Sequence, residues 1–268
     1  CKGRADQARI QYLTEFGGNP ELQPETSDNR SIGLVWTPGD FTGFQASMDM
    51  YDIRQNDVID TNPQYLINQN AMSGLFLDRV QRDAEGDITR IVATRLNIGA
   101  REVRGIDTSM RYQHQSEELG LIRWSMNSSH MANYLNQLAP GSPIEDLAGT
   151  FADSASGGAG SLPHWKANTG VYWHRGRWEA GYTIHYVSDL QESFTLNNET
   201  VRRKIESWST HDLQVAYDVP AGYRFAIGID NFLDEAPPFA ASAFNDNFDA
   251  RTYDLGGRYW YTTFSFNM

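Results

Sequence analysis

The chain has 268 residues, and 34 acidic against 22 basic side chains leave a formal net charge of −12. An acidic balance of that size disfavours phosphate backbones and excludes nucleic acid as a partner. There is no run of about 18 apolar residues, which excludes a transmembrane helix. The mean hydropathy of −0.54 is that of a soluble chain, but a membrane β-barrel averages the same, because lipid-facing apolar residues alternate with polar ones.

Neither a basic nor an apolar segment follows Cys1, so no signal peptide is read. The expectation is a leader already removed, or a preceding part outside this sequence. A lone cysteine makes no internal disulfide. Cys1 reads as the lipid-modified start of a lipoprotein or as the point where a fragment begins, and the second is preferred. Beyond it, period-2 alternation dominates and helical periodicity is nearly absent. Nine strands are predicted. Five weaker ones cover residues 29–36, 41–53, 100–113, 120–131 and 164–173. Four clear ones follow. Trp178, Ala180, Tyr182, Ile184 and Tyr186 oppose Glu179, Gly181, Thr183 and His185. Leu213, Val215, Tyr217 and Val219 oppose Asp212, Gln214, Ala216 and Asp218. Phe225, Ile227 and Ile229 oppose Arg224, Ala226, Gly228 and Asp230. The last puts Trp260, Thr262, Phe264, Phe266 and Met268 on one face.

The connections alternate short and long. Short ones lie at 37–40, 116–119, 174–177 and 220–222, and long ones at about 57–98, 132–163, 191–207 and 234–256. A soluble sandwich has no reason to sort its loops this way, whereas an outer-membrane barrel has short periplasmic turns and long external loops. Aromatic pairs flank three short turns: Trp36 and Phe41, Trp173 and Trp178, Tyr217 and Tyr223. Amphipathic rings at strand ends fit a membrane–water interface. With short turns periplasmic, Met268 ends in the periplasm and residues 1–25 are external. Nine is an odd number, whereas bacterial single-chain barrels use even ones, and open edges cannot face lipid. The expectation is one incomplete domain over 1–268. Within the first long connection, Asp83-Ala-Glu-Gly86 reads as the turn of a small external hairpin that caps the barrel mouth.

Four motifs carry a resemblance. Asn19-Pro-Glu-Leu-Gln-Pro-Glu25 resembles a signature of TonB-dependent receptors, as does the strand opened by Asn97-Ile-Gly-Ala-Arg-Glu102. Asn231-Phe-Leu-Asp234 followed by Pro237 and Pro238 is similar to the element before the family's last loop. Gly257-Arg258 leads to a terminal strand like the family's assembly signal, although Met268 stands where the family ends in Phe. The resemblance covers about residues 15–268. It implies an all-β fold, an antiparallel transmembrane β-barrel. The chain would supply about the last nine strands of a barrel of about 22, with the plug domain absent. It also implies that Cys1 sits in an external loop whose disulfide partner lies elsewhere.

Neither a P-loop nor a nucleophile elbow is present, and the six histidines show no metal-ligand spacing. Charges such as Glu179, Asp212 and Arg224 must face the lumen, since each would cost about 2–4 kcal/mol in lipid. The last loop is the leading ligand-binding candidate. Phe239, Phe244, Asn245, Asp246, Asn247, Phe248, Asp249, Arg251 and Tyr253 mix rings that stack on sugars or flat chelates with amide and carboxylate groups. Tyr134 and Asn136, with Gln137, form a weaker candidate, as do Phe194, Asn197 and Asn198.

These readings point to transport rather than catalysis. The chain is expected in the bacterial outer membrane, as part of a receptor that imports a scarce nutrient (a siderophore, cobalamin, haem or oligosaccharide) with energy from TonB. No cofactor and no metal are expected. The partners would be outer-membrane lipid, the N-terminal remainder of the receptor, the TonB complex and the ligand. The rival readings are a porin or barrel lipase, and a soluble all-β carbohydrate-binding protein.

Overall fold

The computed structural model describes residues 12–138, 140–152, 158–197, 199–220, 222–244 and 246–266, so Cys1 and Met268 lie outside the described residues. In chain order the elements are β1 (Thr14–Gly17), β2 (Thr26–Trp36), β3 (Phe44–Asp60), α1 (Pro63–Ser73), β4 (Val80–Arg82), β5 (Ile88–Thr94), β6 (Leu96–Ser116), β7 (Gly120–Gln137), β8 (Glu145–Asp146), β9 (Thr150–Ala152), β10 (Gly160–Leu162), β11 (Trp165–Arg175), β12 (Trp178–Val187), β13 (Leu190–Leu196), β14 (Glu199–Ile205), β15 (Trp208–Val219), β16 (Tyr223–Asp230) and β17 (Tyr259–Phe266). The main sheet runs in the order β17-β16-β15-β12-β11-β7-β6-β3-β2, with β8 on β7. These nine are the strands expected from alternation; β3, β6 and β7 run past their predicted ends. The chain divides into two compact units, Cys1–Asn29 with Ile53–Glu102 and Leu135–Asp146, and Arg30–Asp52 with Val103–Tyr134 and Leu147–Met268.

The first unit corrects the reading of 57–98 as a loop with one hairpin. The hairpin is there: Gly86 N–H donates to Asp83 O at 3.1 Å, and Asp87 N–H to Asp83 Oδ1 at 2.8 Å. Beside it stands α1. Asn62 caps its start, accepting from Tyr65 N–H at 2.9 Å; Pro63 begins the first turn, and Gly74 ends the helix at φ 67°. Leu66 and Ile67 pack on Val80, Ile88, Ile91 and Ala93, and β1 adds a parallel edge to β5. The motif residues act here as backbone staples. Asn19 Nδ2 donates to Arg95 O at 3.1 Å. Asn97 Nδ2 donates to Gln23 O at 2.7 Å and to Asp57 O at 2.9 Å, and its Oδ1 accepts from Gln23 N–H at 2.9 Å. Glu25 accepts from Ile59 N–H at 2.5 Å.

In the second unit the antiparallel register sorts the side chains onto two faces. One face stacks Trp178 beside Tyr217, Val215 beside Ile227, and Phe225 beside Phe264. Among the described residues nothing covers it: Phe225, Ile227, Trp260 and Phe264 are about half exposed. An uncovered apolar face this long suits hydrocarbon, not water. Rings concentrate near the short turns, with Phe41 stacked 4.9 Å from Tyr112 and Trp178 4.7 Å from Tyr217. The other face is polar and internally paired. Arg224 holds Glu179 through both guanidinium ends and donates to Asp218 Oδ1 at 3.1 Å, and Arg123 lies 4.6 Å above the Tyr172 ring. On this face Tyr261 lies over its cross-strand partner Gly228, where an added Cβ would meet the ring Cζ at 2.2 Å.

Candidate functional site

The long connections of the second unit are largely structured, which corrects their reading as open loops. The segment 191–207 is the hairpin β13–β14, and 138–163 contributes β9 and β10; together they form a four-stranded sheet in the order β10-β9-β13-β14. Leu190 and its partner Ile205 bury against Phe151 and Ala240, so the last connection packs onto this sheet. Alternation places Glu192 on the same buried side, and it is 0% exposed. Its carboxylate accepts from the N–H groups of Ala241 at 3.0 Å and Ser242 at 2.8 Å, and from Ser242 Oγ at 2.7 Å. Arg203 stands 3.6 Å from Glu192 Oε1, and its guanidinium lies 4.4 Å above the Phe239 ring.

A second cluster joins Val187, Trp208 and Tyr253, with Phe248 against it. Trp208 and Tyr253 meet edge to face at 5.5 Å. Asp249 Oδ2 accepts from Ser161 Oγ at 2.5 Å, and its Oδ1 from Arg251 N–H at 3.1 Å. Burial pushes the Asp249 carboxyl up, but these hydrogen bonds prevail and hold it below its ordinary value. Burial, with the Asp249 charge behind it, pushes the Tyr253 hydroxyl up to about 12.

The turn after β16 shows what the Asn231-Phe-Leu-Asp234 motif does. Asn231 adopts φ 48°, its side chain brackets Glu235 with two 2.9 Å bonds, and its N–H donates to Asp212 Oδ1 at 2.8 Å. Asp234 Oδ1 accepts from Arg258 N–H at 2.9 Å, which closes the connection at its base. Between this base and the polar face of β12, β15 and β16 lies a cavity of about 490 Å³ lined by His185, Trp208, Asp212, Asp230, Asp254 and Tyr259 among others.

The predicted ligand residues therefore separate into two groups. Phe248, Asp249 and Tyr253 turn inward and hold the connection together. Phe239, Phe244, Asp246, Asn247 and Arg251 stay exposed, and Asn245 lies outside the described residues. Tyr134 and Asn136 are on β7, where Asn136 Oδ1 accepts from Arg101 Nε at 3.4 Å. Sequence reasoning missed Glu192, Arg203, Trp208 and Asp254. For Glu192 no sequence signal exists, since a carboxylate in an alternating strand reads as solvent-facing. Trp208, beside the predicted strand at 212–219, was the one legible cue.

A description of TonB-dependent receptor-like β-barrels matches residues 4–232. Among curated proteins there is no significant match. Among solved structures the chain resembles the ferric enterobactin receptor of Pseudomonas aeruginosa (16% identity, TM-score 0.63, 94% of this chain and 32% of that one). It also resembles the siderophore receptor PirA of Acinetobacter baumannii (16%, 0.62, 94% and 33%) and the FrpB iron transporter of Neisseria meningitidis (10%, 0.58, 92% and 33%). The likeness is one of fold, and the chain spans about a third of the length of these proteins. Nine strands with one apolar and one polar face, short turns alternating with structured connections, and a match over most of the length lead to one conclusion: the chain belongs to the TonB-dependent receptor-like β-barrel family.

Proposed function

We propose that these strands form part of the wall of an outer-membrane active-transport receptor. The receptor takes up a scarce nutrient at its external face and imports it with energy delivered through the TonB complex. The observation that carries this reading is the two-faced sheet. Its apolar side is left uncovered by the described residues, its polar side carries the paired Arg224–Glu179–Asp218 network, and short turns alternate with long connections along the chain. Charges on that polar side are tolerable only where water or protein, not lipid, meets them.

On this reading the exposed rings and polar groups of the last connection, Phe239, Phe244, Asp246, Asn247 and Arg251, contact the ligand first. The outer membrane supplies the lipid for the opposite face, and the remaining strands and plug of the receptor complete the barrel. Transport here needs positioning, not bond-breaking chemistry. The test is membrane fractionation combined with uptake. The protein is expected in the outer-membrane fraction, released only by detergent, and cells should accumulate ligand only with TonB intact. Recovery as a compact monomer without detergent would overturn the reading, and uptake indifferent to TonB would reduce it to a passive barrel.

A further inference from the structure

The short turn between β11 and β12 carries two cations that the sheet itself does not use. Arg175 is the last residue of β11 and pairs in register with Trp178, the first of β12. Register partners point to the same side of a sheet. Arg175 therefore leaves the apolar face at its short-turn end, beside Trp178 and two positions beyond Trp173. Gly176, at φ 61°, takes the first central position of the two-residue turn and Arg177 the second. Both arginines are exposed, and neither side chain forms an ion pair or hydrogen bond among the described residues. The carboxylates Glu179 and Asp218 lie on the polar face and are held by Arg224. His174 turns to that side too, 3.5 Å from Glu179 Oε1. Glu117 and Glu118, exposed on the neighbouring β6–β7 turn, form no ion pair with either arginine among the described residues.

The surroundings of the pair are aromatic and fixed. The Trp173 indole N–H donates to Leu119 O at 2.7 Å, and the half-exposed Trp178 rests 4.7 Å from Tyr217. Gly120, at φ 77°, packs under the root of Arg175, where an added Cβ would meet Arg175 Cβ at 2.9 Å. The short turns at 37–43, 116–119 and 220–222 contain no lysine or arginine, so these two residues are the whole basic charge of the short turns. A guanidinium presents a planar fork of donors that matches a phosphate, and anionic lipid attracts an arginine near its surface. Tryptophan rings settle at headgroup level. Along the apolar face the order is aliphatic side chains, then rings, then two guanidinium groups without partners, which is the order of a phospholipid from its chains to its phosphate. We propose that the β11–β12 turn binds the headgroup phosphate of an anionic phospholipid in the leaflet at the short-turn end of the barrel. A dissolved anion has no need of the rings or of the adjoining apolar face. The proposal rests on the receptor reading above.

The experiment uses the native receptor, extracted from outer membranes in detergent and placed in nanodiscs of equal parts phosphatidylglycerol and phosphatidylcholine. Native mass spectrometry reads which lipid stays bound. Phosphatidylglycerol is expected to be retained over phosphatidylcholine about thirtyfold, with about fivefold from each arginine. Arg175→Gln and Arg177→Gln should each lower the preference about fivefold, and the double variant should show none. Replacing both neighbouring carboxylates, Glu117→Gln with Glu118→Gln, should raise it. Equal retention of the two lipids by the native receptor, or a preference unchanged in the double variant, would overturn the proposal. Displacement of phosphatidylglycerol by inorganic phosphate would overturn it too, since the site would then be one for a dissolved anion. Should the double variant fail to assemble, the two single variants decide. Extraction separates this claim from the receptor reading. A protein of the outer-membrane fraction that needs detergent and retains both lipids equally ends the lipid site alone, whereas recovery as a compact monomer without detergent ends the receptor reading.

Discussion

Ser242 donates twice to Glu192, through its N–H at 2.8 Å and its hydroxyl at 2.7 Å, across 50 residues of chain. With the Ala241 N–H, this buries a carboxylate whose charge is met by three donors and by Arg203 at 3.6 Å. The last connection is thereby fastened to the β13–β14 hairpin, and its exposed rings stand on a fixed base.

Removing that fastening leaves two backbone N–H groups without a buried acceptor. Glu192→Ala is expected to weaken the docking of residues 237–250 by about 2–4 kcal/mol. Glu192→Gln, which keeps one oxygen, should lie between it and the native protein. Protease cleavage rates in this segment measure the difference, and equal rates for all three proteins would refute the latch.

On the polar face, Tyr261 occupies the space a side chain at position 228 would need. Gly228→Ala is expected to cost about 1–3 kcal/mol through displacement of that ring. Adding Tyr261→Ala should recover part of the loss, which heat-induced unfolding of the four combinations reports. Additive losses would show that the ring and the glycine are not coupled.

The two faces should respond oppositely to charge. Ile227→Lys places an ammonium on the apolar face and is expected to cost about 2–4 kcal/mol near mid-membrane. Thr263→Lys on the polar face should be tolerated. The assembled fraction in outer membranes discriminates them, and equal assembly would argue that the apolar face does not meet lipid.

Tyr253 and Asp249 give the last connection a defined pH range. The folded Tyr253 hydroxyl titrates at about 12 against about 10 when unfolded, so its contribution is complete below pH 10 and lost as pH rises towards 12. Asp249 is held low, so its contribution is complete above the unfolded carboxylate range and lost as pH falls through its folded value. Protection of this segment from proteolysis should therefore be flat near neutrality and decline at both extremes. Tyr253→Phe should remove the alkaline decline, and a decline unchanged in that variant would exclude the tyrosine as its cause.

The nine strands, their two faces and the sorting of their connections were legible in the sequence, because alternation and turn composition are local properties that the antiparallel register preserves. The helix α1, capped by Asn62 and Gly74, was not read from the sequence, because its apolar residues serve a small core and show no strong stripe. Tertiary structure alone decided the fate of the last connection. Composition marked Phe248, Asp249 and Tyr253 as ligand groups, and packing against Val187, Trp208 and Ser161 turned them inward. Nothing in the neighbours of Glu192 marks it as buried; three donors, 49 and 50 residues away, enclose it. Period and turn chemistry are written in neighbouring residues, so the sequence by itself determined the wall; which polar groups are buried and which carboxylates share a cavity depends on segments that meet only after the chain has folded.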